Sequence, residues 1–357
     1  MSVTPENPIG LDGFEFVEFT SPDAAKMTAL IEQLGFTACA THPTKTITRY
    51  KQGRINLLVN TEPDGQAAEF RAIHGASANG MAFRVADARS AYELALSRGA
   101  KAADASRSAF PNAHVLEGIG GSLLYLIDYY GEEGGLYDGW KQIAGAAEAE
   151  AMNSVGLDLL DHLTHNVERG HMHDWSSFYS RIFGFEEQKS FDIRGQATGL
   201  FSQAMIAPDK AIRIPLNESQ DDASQIEEFI REYNGEGIQH LAFTTHDIYA
   251  TVERLRARGV KLQDTIETYY ELVDKRVPGH GEDLERLKRN RILIDGDVEK
   301  EGILLQIFTE NLFGPIFFEI IQRKGNGGFG NGNFQALFES IELDQIRRGV
   351  IKVDAAE

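Results

Sequence analysis

The chain contains one cysteine, Cys39, among its 357 residues. A single thiol cannot form a disulfide within the chain, and it excludes metal sites built from several cysteines, such as iron–sulfur clusters. This scarcity of cysteine is typical of a protein that works in a reducing compartment. We therefore expect a cytoplasmic protein in which any metal site uses histidine and carboxylate ligands.

The sequence also lacks a run of 18 consecutive apolar residues, and its N-terminus lacks the basic and apolar segments of a signal peptide. Positive charge is in deficit, because 35 Lys and Arg residues stand against 54 Asp and Glu residues, for a formal net charge of −19. Such a surface repels phosphate backbones and anionic lipids. We expect neither a nucleic acid nor a membrane as partner.

The composition that remains is that of a folded protein, with 42% hydrophobic and 25% charged residues. A chain of 357 residues suggests two domains.

The two halves of the sequence resemble each other, which indicates a duplicated fold. "IGLDGFEFVEFT" and "VGLDLLDHLTHN" begin the halves, and "GMAFRVADARSAYELALSRGAK" later aligns without a gap with "HLAFTTHDIYATVERLRARGVK". In that second pair Asp87 and Asp247 occupy helix N-cap positions, and Gly99 and Gly259 occupy helix ends. The repeat therefore predicts an α+β fold in which strands alternate with helices.

Residues 1–150 and 151–357 are the predicted domains, and the boundary lies in the small-residue and acidic segment "KQIAGAAEAEAMNS". The second half carries an insert at residues 269–290 and a terminal segment, "GNFQALFESIELDQIRRGVIK". Apolar residues in that segment recur at helical spacing, so we expect an amphipathic helix there.

Comparing the two halves also selects candidate metal ligands, because three positions are polar in the second half only. In the alignment of the halves His162 corresponds to Phe16, His240 corresponds to Gly80, and Glu319 corresponds to an apolar residue that we take to be Leu126. Three strands of one curved sheet can each direct one side chain to a common point. Two imidazoles and one carboxylate form the ligand set typical of non-haem Fe(II) with open coordination positions.

Two alternatives accompany this prediction. His165 lies three residues after His162, but residues three apart on a strand face opposite sides, so we favour His162. The triad could also be a buried polar network without metal. Burying Glu319 within "IFFEII" costs several kcal/mol unless a cation or strong donors meet it, which favours the metal.

Several motifs resemble those of the 4-hydroxyphenylpyruvate dioxygenase family of the vicinal oxygen chelate superfamily. They are "DHLTHNV", "IRIPLNE", "SQIEEF", "GEGIQHLAF", "LLQIF", "FFEIIQRKG" and "GGFGNGNFQALFESIE". The resemblance covers nearly the whole chain and is densest over residues 155–349. It implies two tandem domains of repeated βαβββ modules, each a curved mixed or antiparallel sheet covered by helices.

The resemblance further implies conversion of 4-hydroxyphenylpyruvate and dioxygen to homogentisate and carbon dioxide, with one Fe(II) per subunit and no 2-oxoglutarate. His162, His240 and Glu319 would be the iron ligands, all in the second domain, while the first domain has none. The terminal helix would cover the site as a lid. Relatives in bacteria suggest a homo-oligomer, specifically a tetramer.

Ten further residues are implied as the substrate pocket. The polar groups are Ser202, Asn217, Gln225, Gln239 and Gln306, and the residues around the ring are Phe308, Phe317, Phe329, Asn333 and Phe334.

Three other functions remain open at this stage. The first is 4-hydroxymandelate synthase, which shares the fold, the ligands and the substrate. The second is a glyoxalase-like or extradiol enzyme that uses another metal. The third is a metal-free protein that binds a small molecule.

Overall fold

The computed structural model describes residues 3–130, 135–194, 199–333 and 336. Its strands form two sheets of eight strands each. The first sheet contains β1 (Phe14–Thr20), β2 (Thr37–Thr41), β3 (Ile47–Gln52), β4 (Ile55–Asn60), β5 (Ser77–Arg84), β6 (His114–Glu117), β7 (Leu123–Ile127) and β8 (Lys141–Gln142). The second contains β9 (Leu157–Val167), β10 (Glu186–Arg194), β11 (Gly199–Ile206), β12 (Arg213–Ser219), β13 (Gly237–Thr245), β14 (Leu293–Asp297), β15 (Gly302–Phe308) and β16 (Phe317–Lys324).

Helices lie between these strands. They are α1 (Ala24–Gln33), α2 (Gly65–His74), α3 (Ala88–Ser97), α4 (Ala146–Asn153), α5 (Met172–Phe183), α6 (Gln225–Tyr233), α7 (Ile248–Ala257), α8 (Glu267–Glu271), α9 (Val273–Arg276) and α10 (Leu284–Asn290). The insert predicted from the sequence forms most of α8 to α10. The predicted terminal helix lies, apart from its first residues and Ala336, outside the described residues.

The order of elements confirms the predicted α+β fold of repeated modules. Strand β9, helix α5 and strands β10, β11 and β12 make one βαβββ unit, and β13, α7, β14, β15 and β16 make the next. The strand order of the second sheet is β10-β11-β12-β9-β13-β16-β15-β14. The central strands β9 and β13 are antiparallel, and each has a parallel partner on its other side, so the sheet is mixed.

The repeated strand, cap and helix pattern has the local structure that the sequence predicts. The side chain of Asp87 accepts a hydrogen bond from the backbone N–H of Ser90, and Asp247 caps α7 in the same way. Gly99 and Gly259 follow the two helices with φ of 91° and 81°, a region that glycine enters without steric cost.

One hydrophobic core spans both halves of the chain. Phe36 of the first half lies against Phe243 of the second, with ring centroids 5.6 Å apart, and Phe83 lies 5.5 Å from Phe183. Residues of both halves therefore belong to one hydrophobic cluster that lies between the elements of the two halves. Packing against the first half therefore stabilises the sheet that carries the predicted site.

Both halves carry β-bulges at matching places. Asp161 and Gln239 are each skipped by the pairing between β9 and β13, and Glu15 and Asn79 are skipped between β1 and β5. A bulge changes the direction of neighbouring side chains and is frequent beside active sites. In the second half, the two bulged residues directly precede His162 and His240.

None of the helices within the described residues combines the length and apolar character needed to cross a bilayer.

Candidate metal centre

The three predicted ligands come together on one face of the second sheet. Ala242 of β13 pairs with His162 on one side and with Glu319 on the other, so these two side chains lie in one row across the sheet. His240 lies two residues before Ala242, in the next row on the same face. The ligand atoms of the three residues all lie within 4.8 Å of one another.

In the first half the equivalent positions hold Phe16, Gly80 and Tyr125. The first two agree with the alignment of the halves, but the prediction that Leu126 corresponds to Glu319 is wrong by one residue. Ala82 pairs with Tyr125 just as Ala242 pairs with Glu319. The connections before the last strands, residues 118–122 and 309–316, differ in length, so the sequence offered no fixed reference point there.

The three side chains converge around the Glu319 carboxylate. Its Oε2 lies 3.2 Å from His162 Nε2 and 3.5 Å from His240 Nε2. Burial raises the pKa of Glu319, but the two imidazoles outweigh burial and lower it below the ordinary value. A buried ionised carboxylate facing two ring nitrogens is a donor set that suits a divalent cation.

The two imidazoles differ in their charge preference. Burial lowers the pKa of His240, which favours the neutral ring that binds metals. Burial also opposes the charged form of His162, but Glu319 and Asp161 together raise its pKa. A cation at the site would replace the proton that these two carboxylates hold on His162.

The remaining nitrogen of each imidazole is held by a bulged residue. His162 Nδ1 lies 2.8 Å from Asp161 Oδ2, and His240 Nδ1 lies 2.9 Å from Gln239 Oε1. An acceptor at Nδ1 fixes the ring orientation and leaves Nε2 free for a metal. Gln239, implied as a substrate contact by family resemblance, thus contacts the ligand His240.

Asp161 also connects the ligands to the glycine-rich loop that follows β16. Burial would raise the pKa of Asp161, but hydrogen bonds from Arg323 and His162 lower it far below its usual range. Arg323 approaches the carboxylate through two nitrogens, at 2.8 and 2.7 Å. The same guanidinium donates to the carbonyl groups of Asn326 and Gly328 in the loop.

Gln306 makes a second connection between the ligands and this loop. Its amide nitrogen donates to Glu319 at 3.2 Å, and its amide oxygen accepts from Asn333 at 2.9 Å. Gly330 has a φ of 72°, and a Cβ there would lie 1.6 Å from the Gln306 oxygen. Tyr269 donates to Asn333 at 2.6 Å, so the implied ring contact Asn333 is part of a buried hydrogen-bond network.

Phenylalanine rings surround the ligands. Phe317 stacks on His240 with centroids 4.7 Å apart, and Phe308 lies edge-on to Phe317 at 5.9 Å. Phe329 of the glycine-rich loop lies edge-on to His162 at 5.3 Å. Phe334, the remaining ring predicted for the pocket, lies outside the described residues.

A polar row crosses the same sheet beyond the ligands. Ser202 pairs with Asn217 between β11 and β12, and Asn217 pairs with Asn166 between β12 and β9. Directly paired residues face the same side of a sheet, so all three share one face. Gln225, the other predicted polar contact, is exposed at the first position of α6.

His165 is excluded from the ligand set, as the strand alternation predicts. Its Nε2 lies 2.7 Å from the hydroxyl of Tyr179 on α5, on the opposite face of the sheet. Burial lowers the pKa of His165 to about 3.

Sequence reasoning did not identify Asp161 as the partner of His162, or Asn166 as part of the polar row. Both positions are polar in each half, since Asp161 aligns with Glu15 and Asn166 with Thr20. A comparison that selects residues polar in one half only therefore passes over them. The acidic residue immediately before a candidate histidine was the available signal for Asp161.

Known proteins resemble this chain over nearly its whole length. Residues 5–140 match the family model "Hydroxyphenylpyruvate dioxygenase, HPPD, N-terminal", and residues 159–272 match the "Glyoxalase/Bleomycin resistance protein/Dioxygenase superfamily". A 4-hydroxyphenylpyruvate dioxygenase of Pseudomonas aeruginosa is 58% identical over 98% of both chains. One from Legionella pneumophila strain Corby is 50% identical over 97% of this chain and 98% of its own.

A solved structure shows the same architecture. It is a mutant of 4-hydroxymandelate synthase from Streptomyces coelicolor, with a TM-score of 0.78 and 28% identity. The match covers 94% of this chain and 99% of that one.

Proposed function

The chain belongs to the 4-hydroxyphenylpyruvate dioxygenase family, and from that premise we propose that it converts 4-hydroxyphenylpyruvate and dioxygen to homogentisate and carbon dioxide at an Fe(II) ion. His162, His240 and Glu319 would hold that ion. The observation that carries the proposal is the convergence of these three buried side chains within 4.8 Å of one another.

His162, His240 and Glu319 would hold a ferrous ion, which would supply electrons for the reduction of dioxygen and would have coordination positions left for the substrate. Because the substrate carries its own 2-oxo acid, we propose that no 2-oxoglutarate is needed. Asp161 and Gln239 would keep the two imidazoles oriented, and Gln306 would do the same for the Glu319 carboxylate.

The rest of the proposed pocket binds the aromatic part of the substrate. Phe308, Phe317 and Phe329 offer apolar surface beside the ligands, where an aromatic ring gains about 0.5–1.5 kcal/mol beyond the burial of its area. Ser202 and Asn217 offer polar groups farther along the sheet. Gln225 would join them only if the first turn of α6 turned inward, and Asn333 would act by holding Gln306.

The decisive experiment is identification of the product. The protein, loaded with Fe(II), is supplied with 4-hydroxyphenylpyruvate and dioxygen, and the product is identified by proton NMR and by chromatography against standards. We expect homogentisate and an equal amount of carbon dioxide. Absence of turnover by iron-loaded protein that binds one metal per chain would contradict the proposal.

4-Hydroxymandelate synthase is the second candidate, because the solved structure of a mutant of that enzyme shares the fold at a TM-score of 0.78. Its product is an isomer of homogentisate, so mass alone does not distinguish the two. NMR does, because homogentisate has three ring protons and 4-hydroxymandelate has four.

We further propose a division into a domain of residues 1–150 and an iron-binding domain of residues 151–357, a homotetrameric assembly and a cytoplasmic location. The sheets lie within residues 14–142 and 157–324, and α4 lies between them. Limited proteolysis tests the boundary, and light scattering tests the assembly.

A further inference from the structure

Asn166 is a fully buried amide near the end of β9. Its side chain is 0% exposed, and neither its amide nitrogen nor its amide oxygen has a hydrogen-bond partner within the described residues. A buried amide left without hydrogen bonds is unfavourable, so one with no partner in the chain requires an explanation, such as a water, an ion or a ligand that supplies the missing partner.

The strand geometry directs this amide toward the candidate metal centre. The pairing with β13 skips no residue of β9 from His162 to Asn166, because the bulge at Gln239 lies on β13, so His162, Thr164 and Asn166 share one face. The Thr164 hydroxyl lies 3.0 Å from His240 Nε2, which identifies that face as the one with the ligands. His165 faces the other way, toward α5.

The distance from His162 to Asn166 along β9 can be compared with the length of the substrate. Four residues of a β-strand span about 13 Å. A 4-hydroxyphenylpyruvate molecule measures roughly 7 Å from its 2-oxo group to its phenol oxygen at ordinary bond lengths. A substrate whose 2-oxo acid lies beside His162 therefore extends its hydroxyl toward the row formed by Asn166, Asn217 and Ser202.

We propose that Asn166 binds the ring hydroxyl of the substrate and thereby selects 4-hydroxyphenylpyruvate over phenylpyruvate. This assignment rests on the proposed function. A phenol donates one hydrogen bond and accepts another. The Asn166 oxygen can accept from the phenol O–H while the paired Asn217 amide donates to the phenol oxygen. A substrate without the hydroxyl leaves these amides unpaired, which is a strong source of selectivity.

Binding without turnover tests the assignment. Iron-loaded protein is titrated with 4-hydroxyphenylpyruvate and with phenylpyruvate by calorimetry in the absence of dioxygen. The variants are Asn166→Leu, which preserves the approximate size of the side chain, and Asn166→Ala, which leaves space. In both we expect the Kd for 4-hydroxyphenylpyruvate to rise about 10-fold or more and that for phenylpyruvate to change less than about 3-fold.

The matched control is Thr20→Val, which removes polarity at the corresponding position of the first half. The Thr20 hydroxyl donates to the carbonyl of Asn60, so this variant should lower Tm while both Kd values stay unchanged. Asn166→Leu has no protein hydrogen bond to lose within the described residues and should not lower Tm. A purely structural role for Asn166 would instead lower the Tm of Asn166→Leu as well.

Two results would overturn the assignment. If Asn166→Ala weakens the binding of both acids equally, Asn166 contacts the 2-oxo acid that both share or determines the shape of the cavity. Unchanged binding of both would mean that solvent satisfies the amide. If either result is found and the parent protein still makes homogentisate, only this assignment is wrong. If the parent protein binds neither acid, the proposed function is wrong as well.

Discussion

The interior of the first sheet is filled with aromatic rings, whereas the corresponding face of the second sheet carries the candidate metal centre. Phe16 lies 5.2 Å from Tyr125 and 5.3 Å from Phe110, and Phe110 in turn stacks on Trp140 at 5.9 Å. Phe16 and Tyr125 occupy the positions that hold His162 and Glu319 in the second half.

The first half nevertheless keeps a buried acid of its own. Glu18 is 1% exposed and accepts hydrogen bonds from Tyr125 at 2.9 Å and from Asn60 at 2.6 Å. Burial raises its pKa despite these bonds. No imidazole within the described residues faces Glu18, so neutral donors take the place that histidines take around Glu319. Nearly the same backbone thus supports a packed core in one half and a candidate metal centre in the other.

The largest expected difference between the halves is at the candidate carboxylate ligand. Glu319→Gln preserves size but removes the charge that a cation requires, so we expect metal affinity and activity to fall about 1,000-fold or more, beyond the 10–100-fold typical of an outer hydrogen-bond partner. Metal content after dialysis and the rate of homogentisate formation are measured together. A variant that keeps bound iron and full activity would remove Glu319 from the ligand set.

The next comparison concerns the bulged acids. Asp161→Asn removes the charge that orients His162, and we expect metal affinity to fall about 10–100-fold. Glu15→Gln is the matched control, because Glu15 also sits in a bulge and accepts from an arginine, Arg84, at 2.6 Å. Both variants break a buried ion pair, so both should lose stability, but only Asp161→Asn should bind less metal. Competition with a chelator measures the affinities.

A smaller effect is expected at Tyr125, the counterpart of Glu319. Tyr125→Phe removes a hydrogen bond from the buried Glu18, which should lower the free energy of unfolding by about 1–3 kcal/mol. Metal affinity should stay the same. Urea unfolding and metal titration provide the two measurements. A loss of metal binding here would show that the first half takes part in the site.

The smallest effect concerns acid stability. The pKa of His165 is about 3 in the folded chain and about 6.5 when unfolded, so the unfolded state binds more protons between these values. The stability that this histidine contributes is therefore present above pH 6.5 and is lost as the pH falls toward 3. Between pH 7 and pH 5 the loss approaches about 2 kcal/mol.

His165→Phe tests this contribution, because the first half has Phe19 at the matching position. The variant leaves the Tyr179 hydroxyl unpaired, which costs about 1–3 kcal/mol at neutral pH, but its stability should fall less steeply on acidification. Urea unfolding at pH 7 and pH 5 compares the two proteins. Equal slopes would mean that His165 takes up its proton over the same pH range in the folded and unfolded states.

Much of the fold could be predicted because the duplication repeats its local signals. The caps Asp87 and Asp247 and the helix-ending glycines appear in both halves, and each was found in its predicted place. The convergence of His162 and His240 was predictable because their counterparts Phe16 and Gly80 lack their polarity.

The parts that could not be predicted depend on tertiary geometry. Bulges at Asp161 and Gln239 shift the strand pairing by one residue, and no local pattern in the sequence marks them. The contact of Gln306 with both Glu319 and Asn333 joins residues that are 13 and 27 positions away along the chain. The contact with Glu319 depends on the register of β15 against β16, and the contact with Asn333 arises only once the loop after β16 has packed on the sheet.

The matching bulges have a consequence for redesign. The strands and bulges of the first half match those of the second half. A metal site in the first half would therefore require new side chains rather than a new backbone. The substitutions are Phe16→His, Gly80→His and Tyr125→Glu. A Cβ at Gly80 would lie 3.0 Å from the Tyr125 ring, so the tyrosine must move or be replaced before position 80 can hold a larger side chain. Such a redesign would therefore replace Tyr125 before it introduces the histidine at position 80.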